Sequence, residues 1–146
     1  MGTRIPVAQR RRARQLIMQA LYQWFMSRME PAEISKQFHA DNPGKIDWDY
    51  FDDIFTNVPI QAKQLVASFQ PLLDREVSAI DPVEKALLYL GTYELSYRID
   101  VPYRVVINEC VELAKNYGAT DSHKYINGVL DKLVPKLRME EHAGST

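Results

Sequence analysis

The stretch that decides the fold is Arg10-Arg11-Arg12-Ala13-Arg14 together with the apolar residues that follow it. Apolar side chains recur there in pairs four residues apart: Leu16, Ile17, Ala20, Leu21, Trp24 and Phe25. This spacing predicts one α-helix with a broad apolar stripe, and it places Arg11, Arg14, Met18 and Tyr22 on a neighbouring face. Guanidinium groups pair with phosphate oxygens and an exposed ring can stack on an unpaired base, so this face predicts RNA binding.

The basic stretch over residues 10–14 also has other interpretations. Arginine runs near chain starts are often solvated tails or targeting peptides. A mitochondrial-type presequence is disfavoured because Trp24 and Phe25 lie on the apolar face and the pattern continues into globular-looking sequence. A secretory signal is disfavoured because Gln19 and Gln23 interrupt the apolar run and no small-residue cleavage pattern follows it.

The composition is that of one soluble globular domain: 146 residues, 46% hydrophobic and 25% charged. The net charge is −1, yet five of the 18 basic side chains fall in the first 14 residues, namely Arg4, Arg10, Arg11, Arg12 and Arg14. Charge gathered at one end predicts a local anionic partner. We expect a flexible basic arm over residues 1–7, a helical RNA-binding domain over 8–138 and a frayed tail over 139–146.

The single cysteine favours a reducing compartment, and we expect a cytoplasmic protein. Cys110 lies in an apolar helical pattern, which predicts a buried, inert thiol. No apolar run approaches the length of a membrane span, so no membrane association is expected.

No strand pattern is found, and the periodicity predicts an all-α fold, a single compact bundle of helices. Asp81 is expected to cap a central helix that begins at Pro82, with Glu84 completing a capping-box-like pattern. Within that helix, Gly91 is expected to allow a close helix approach. The role of residues 27–70 is not apparent.

The last two predicted helices meet at a junction. Gly118 is expected to end the first of them in a left-handed conformation, and Asp121 or Ser122 to cap the second. The helical period continues through Asn127-Gly128, which predicts a small residue at a helix contact rather than a hairpin.

The junction is also a second basic and aromatic group. Free amides at a helix start suit phosphate, and Lys124 and Tyr125 would lie near them, with Lys115 on the preceding helix. The alternative, that Tyr117 and Tyr125 pack on the core while the lysines are solvated, stays open.

The sequence offers little for catalysis. The three histidines are scattered, and Asp121, Ser122 and His123 are too close in sequence to form a relay. Phosphate-loop and dinucleotide motifs are absent from the sequence. We expect no enzyme activity, no catalytic residue, no metal site and no cofactor.

Several motifs, taken together and in order, resemble the NusB family of transcription antitermination factors. They are Arg10-Arg11-Arg12-Ala13-Arg14, Gln19-Ala20-Leu21-Tyr22, Val83-Glu84-Lys85-Ala86, Tyr93-Glu94-Leu95-Ser96, Asp100-Val101-Pro102-Tyr103, Ile107-Asn108-Glu109, Glu112-Leu113-Ala114-Lys115, Tyr117-Gly118, Ser122-His123-Lys124-Tyr125 and Asn127-Gly128-Val129-Leu130-Asp131. The resemblance implies about seven helices and pairing with the ribosomal small-subunit protein that doubles as NusE. The pair would bind boxA RNA of ribosomal RNA leaders within RNA polymerase antitermination complexes.

The resemblance also implies functional residues. RNA contact is assigned to the arginine cluster, which we define as Arg10, Arg11, Arg12 and Arg14, and to the junction group, Lys115, Asp121, Lys124 and Tyr125. The family usually has phenylalanine at the position of Tyr125. Tyr22 and Glu84 match positions near the protein-partner surface.

Two other functions remain open. The domain also resembles the amino-terminal RNA-binding accessory module of a ribosomal RNA cytosine methyltransferase, although no methyltransferase domain follows residue 138 here. A helical scaffold that binds an acidic protein is the third possibility, and the free protein could form a homodimer. If the cluster is functional rather than structural, Arg10→Glu with Arg14→Glu should leave the melting temperature nearly unchanged.

Overall fold

A computed structural model describes residues 5–144, and the regular elements in that range are all helical. The helices are α1 (Val7–Met26), α2 (Pro31–Asp41), α3 (Trp48–Ile60), α4 (Ala62–Phe69), α5 (Pro82–Tyr97), α6 (Tyr103–Tyr117), α7 (Ser122–Leu137) and α8 (Met139–Gly144), with short 3-10 turns at Gln70–Leu72 and Val77–Ala79. The all-α prediction is confirmed, and α1 to α7 account for the expected seven helices. None of the described helices is both long and apolar enough to cross a bilayer.

The helices form two compact units, the first ending at Ile60 and the second beginning at Gln61. In the first unit, α1 packs on α2 and α3. Its buried apolar side chains include Ile17 and Leu21 of α1 and Phe51 and Ile54 of α3. The spacing of these residues matches the helical period, so each helix buries the face that its sequence makes apolar.

In the second unit, α5 packs against α4, α6 and α7 and is buried over most of its length. Asp81 caps it as predicted, because its carboxylate accepts hydrogen bonds from the backbone N–H groups of Val83, at 2.9 Å, and Glu84, at 3.4 Å. Cys110 is fully buried on α6, which confirms its predicted placement.

The prediction for Gly91 is confirmed. A Cβ added there would lie 2.8 Å from both terminal methyl groups of Leu130, which belongs to α7. A larger residue would therefore force α5 and α7 apart or displace the Leu130 side chain.

Two other glycine predictions are wrong. Gly118 follows α6 with φ −92°, which is not a left-handed conformation. It is required for space instead, since a Cβ would lie 2.8 Å from the carbonyl oxygen of Ala114 and from Cβ of Ser122. Gly128 continues α7 as predicted but is exposed and has no atom within 4 Å of an added Cβ, so it marks no helix contact.

The two glycines should respond oppositely to a methyl group. Gly118→Ala should lower the free energy of unfolding by about 1–3 kcal/mol, because the backbone of Ala114 must shift. Gly128→Ala should raise it by up to about 1 kcal/mol, since alanine favours the helix and nothing obstructs it. Urea denaturation of both variants measures the difference, and equal shifts of the same sign would contradict it.

The end of the chain differs from the frayed tail that the sequence predicts. Arg138 is buried, and its guanidinium donates to the carbonyl oxygens of Leu95, Glu94 and Arg98 at 2.7–3.1 Å. It also pairs with Glu141, whose carboxylate accepts the backbone N–H that opens α6 at 3.0 Å. Residues 139–144 are therefore anchored helix. Residues 145–146, and residues 1–4 of the predicted basic arm, lie outside the described range.

Candidate nucleic-acid interface

Arg10 is half-buried and bound to other residues of the first unit. Its Nε lies 3.1 Å from Oδ2 of Asp47, a carboxylate only 4% exposed. Its guanidinium also lies 4.3 Å from the ring centroid of Tyr50. Asp47 in addition accepts the backbone N–H of Tyr50 at 3.2 Å, which caps the start of α3. Arg10 therefore serves to join α1 to α3.

Arg14 is buried in the first unit, with only 3% of its surface exposed. Its guanidinium lies 5.2 Å from the ring centroid of Tyr50, and Nη2 donates to the hydroxyl of Tyr50 at 3.4 Å. The expectation that Arg14 faces solvent is wrong. Arg14 precedes Ile17 by three positions and Met18 by four, so it shares their buried face. The aromatic face and the hydroxyl compensate the buried cation.

The remaining members of the arginine cluster lie nearer the surface. Arg12 is half-buried and donates to Oε1 of Gln15 at 2.7 Å and to Oδ1 of Asn42 at 3.2 Å. Arg11 is exposed. The accessible positive charge of α1 is thus carried by Arg11 and in part by Arg12.

The charged members of the junction group are exposed in the second unit. Lys124 Nζ lies 3.5 Å from Asp121 Oδ1, and both side chains are 74% exposed. Lys115 Nζ lies 3.5 Å from Glu112 Oε1. Exposed pairs of this kind contribute about 1 kcal/mol or less. Both ammonium groups can therefore exchange their carboxylate partner for another anion at little cost.

The predicted cap of α7 is wrong. Asp121 occupies the N-cap position but makes no side-chain hydrogen bond to the helix amides. The hydroxyl of Ser122 instead donates to Oε2 of Glu84 at 2.7 Å, linking α7 to α5.

Glu84, which the resemblance places near the partner surface, is only 8% exposed. Tyr22 is 42% exposed on α1, and the partner-binding role of both residues stays a prediction.

Tyr125 packs on protein, as the alternative interpretation of the junction holds, whereas Tyr117 is 42% exposed and does not fit that interpretation. Its ring is half-buried, and the buried hydroxyl of Tyr125 has no hydrogen-bond partner among residues 5–144. The guanidinium of Arg75 lies 4.6 Å from the ring centroid of Tyr125. Arg75 is bound in turn by Asp74 at 2.7 Å. Burial raises the pKa of the Tyr125 phenol, and the charge of Asp74 raises it further. Sequence reasoning missed Arg75, because it lies between helices where no periodicity places it.

The predicted site residues thus form two groups. The arginine cluster lies in the first unit and the junction group in the second. The first group contains the exposed cation Arg11, and the second combines the exposed cations Lys115 and Lys124 with the half-buried ring of Tyr125. Over residues 5–144, no three His, Cys, Asp or Glu side chains are grouped to hold a metal ion.

Comparisons with a family model and with known proteins both match this chain to the NusB family. The model of the NusB family matches residues 11–135. The transcription antitermination protein NusB of a Pseudomonas fluorescens strain is 53% identical over 135 residues, which cover 92% of this chain and 81% of that protein. The protein of the same name from Pasteurella multocida is 50% identical over 132 residues, covering 90% and 92%.

Solved structures show the same fold. A crystal structure of the antitermination factors NusB and NusE in complex with double-stranded RNA contains a chain that superimposes with a TM-score of 0.81. The match covers 90% of this chain and 99% of that one at 22% identity.

Proposed function

This chain belongs to the NusB family, and we therefore propose that it is a transcription antitermination factor that binds boxA RNA of ribosomal RNA leaders together with NusE. The observation that carries the proposal is the 53% identity to a transcription antitermination protein over nearly the whole chain. We place its action in the cytoplasm, within RNA polymerase antitermination complexes, as a binding protein rather than an enzyme.

The side chains support this proposal through four accessible cations: Arg11, Arg12, Lys115 and Lys124. Each can exchange a weak intramolecular or solvent contact for a phosphate oxygen. Few such contacts give weak binding by the protein alone, and a partner that extends the basic surface would raise the affinity.

Four residues assigned to RNA contact, Arg10, Arg14, Tyr125 and Asp121, contribute less directly in this proposal. Arg10 and Arg14 hold α1 against Tyr50 and so fix the direction in which Arg11 and Arg12 point. Tyr125 contacts RNA only beside Arg75, which covers part of its ring. Asp121 keeps Lys124 near the start of α7 until a phosphate replaces it. Tyr22 and Glu84 are proposed for the NusE surface, and a homodimer for the free protein.

Titration of labelled boxA leader RNA tests the proposal. The RNA should bind more tightly when NusE is present, and the affinity should fall as salt rises, since phosphate contacts release counterions. A scrambled RNA and a boxA duplex serve as controls, the duplex because a protein of similar fold was crystallised with double-stranded RNA. Equal affinity for scrambled and boxA RNA with NusE present would contradict sequence-specific binding.

A further inference from the structure

We infer that Lys45, in the loop between α2 and α3, binds RNA phosphate alongside Arg11 and Arg12. The inference rests on the proposed function and adds a residue to its binding surface. It also gives a role to the segment over residues 27–70, whose sequence indicates none.

The loop is tied to the basic end of α1 at both of its ends. At its start, Oδ1 of Asn42 accepts a hydrogen bond from Arg12 at 3.2 Å. At its end, the carboxylate of Asp47 binds Nε of Arg10 at 3.1 Å, and its backbone N–H donates to the carbonyl oxygen of Gln9 at 3.2 Å. The four residues between these contacts therefore run beside the first turns of α1.

Lys45 lies within this short span. It is two residues from Asp47, so the two Cα atoms are at most about 7 Å apart. The preceding residue, Gly44, has φ +112°, a conformation that glycine adopts without strain and that turns the chain at this point. The hydrogen bonds at both ends of the loop and the turn at Gly44 together restrict the position of Lys45.

The charge of Lys45 is available. Its side chain is exposed, and over residues 5–144 it makes no ion pair or hydrogen bond. The nearest loop carboxylate, Asp47, is already engaged by Arg10. Arg10 is paired with Asp47 and Arg14 is buried, so neither contributes a free positive charge to the start of α1. Lys45 adds one accessible positive charge beside that end of the helix.

The test compares Lys45→Gln with Lys36→Gln, an exposed lysine in α2 of the same unit that likewise makes no ion pair among the described residues. Affinity for single-stranded boxA RNA is measured over a series of salt concentrations, with NusE present. Lys45→Gln should weaken binding several-fold and reduce the slope of log K against log salt by about 0.7, the loss of one phosphate contact. Lys36→Gln should leave both unchanged.

The outcomes separate this inference from the proposed function. Strong, salt-dependent binding by the unsubstituted protein together with an unchanged slope for Lys45→Gln would overturn the inference alone. An equal effect of Lys36→Gln would overturn it too, because the effect would then reflect net charge. Failure of the unsubstituted protein to bind any RNA would overturn the proposed function and the inference with it.

Discussion

Charge reversal at two positions of the arginine cluster, Arg10→Glu with Arg14→Glu, is expected to lower the free energy of unfolding by about 4 kcal/mol or more. A glutamate at position 10 would place a second carboxylate beside buried Asp47 and leave both without a cation. A glutamate at position 14 would bury a charge against the ring of Tyr50, which attracts cations and repels anions. The loss is a large part of the 5–15 kcal/mol that stabilises a typical domain.

Urea denaturation followed by circular dichroism measures this loss. Arg28→Glu is the matched control, because Arg28 is exposed after the end of α1 in the same unit, and it should change the unfolding free energy by less than about 0.5 kcal/mol. A double variant as stable as the unsubstituted protein would show that the contacts of Arg10 and Arg14 with Asp47 and Tyr50 add nothing to stability.

The loss of stability expected for Arg10→Glu with Arg14→Glu is the opposite of the sequence-based expectation that this double variant keeps its melting temperature. It also decides how RNA binding can be tested. Reduced RNA binding by the double variant would not separate lost contacts from lost structure. Substitution of Arg11, which is exposed, separates them more cleanly.

The second large effect is expected at Arg138. Arg138→Met should lower the free energy of unfolding by about 3 kcal/mol, because three carbonyl oxygens at the end of α5 lose their donor at about 1 kcal/mol each or more. The methionine keeps much of the side-chain volume, so the loss reports hydrogen bonding rather than a cavity.

Lys136→Met is the control for this substitution, since Lys136 lies exposed in the last turn of α7, two residues away. Thermal unfolding should show a clear drop in melting temperature for Arg138→Met and almost none for Lys136→Met. If both variants unfold alike, the guanidinium contacts with α5 are not a source of stability.

Features of the fold that depend on neighbouring residues were predictable from sequence. The cap at Asp81 needs only the two amides that follow it, and the sequence Asp-Pro predicts it directly. The close approach at Gly91 follows from a helix that is apolar on nearly all sides. The spacing of Arg14 and Met18 was interpreted as an RNA-binding face, and this interpretation is wrong because both side chains are buried with Ile17.

The candidate site was less predictable, because its contacts join distant positions. Arg10 and Asp47 are 37 residues apart, and nothing in either local pattern indicates that they pair. Arg75 lies outside any periodic segment, so its position over Tyr125 depends on how α5 and α7 pack. Residue type predicts which side chains can bind RNA, whereas tertiary contacts decide which of them remain accessible.

The contacts of Arg138 also bear on the order in which the second unit folds. They join positions 40 to 44 residues apart, and closing so long a segment costs entropy before any hydrogen bond forms. Helix α5 can form earlier from local interactions, with its last carbonyls still hydrated. Interactions made after the transition state govern the rate of unfolding rather than that of folding. If the contacts of Arg138 form late, we expect Arg138→Met to raise the rate of unfolding more than it lowers the rate of folding.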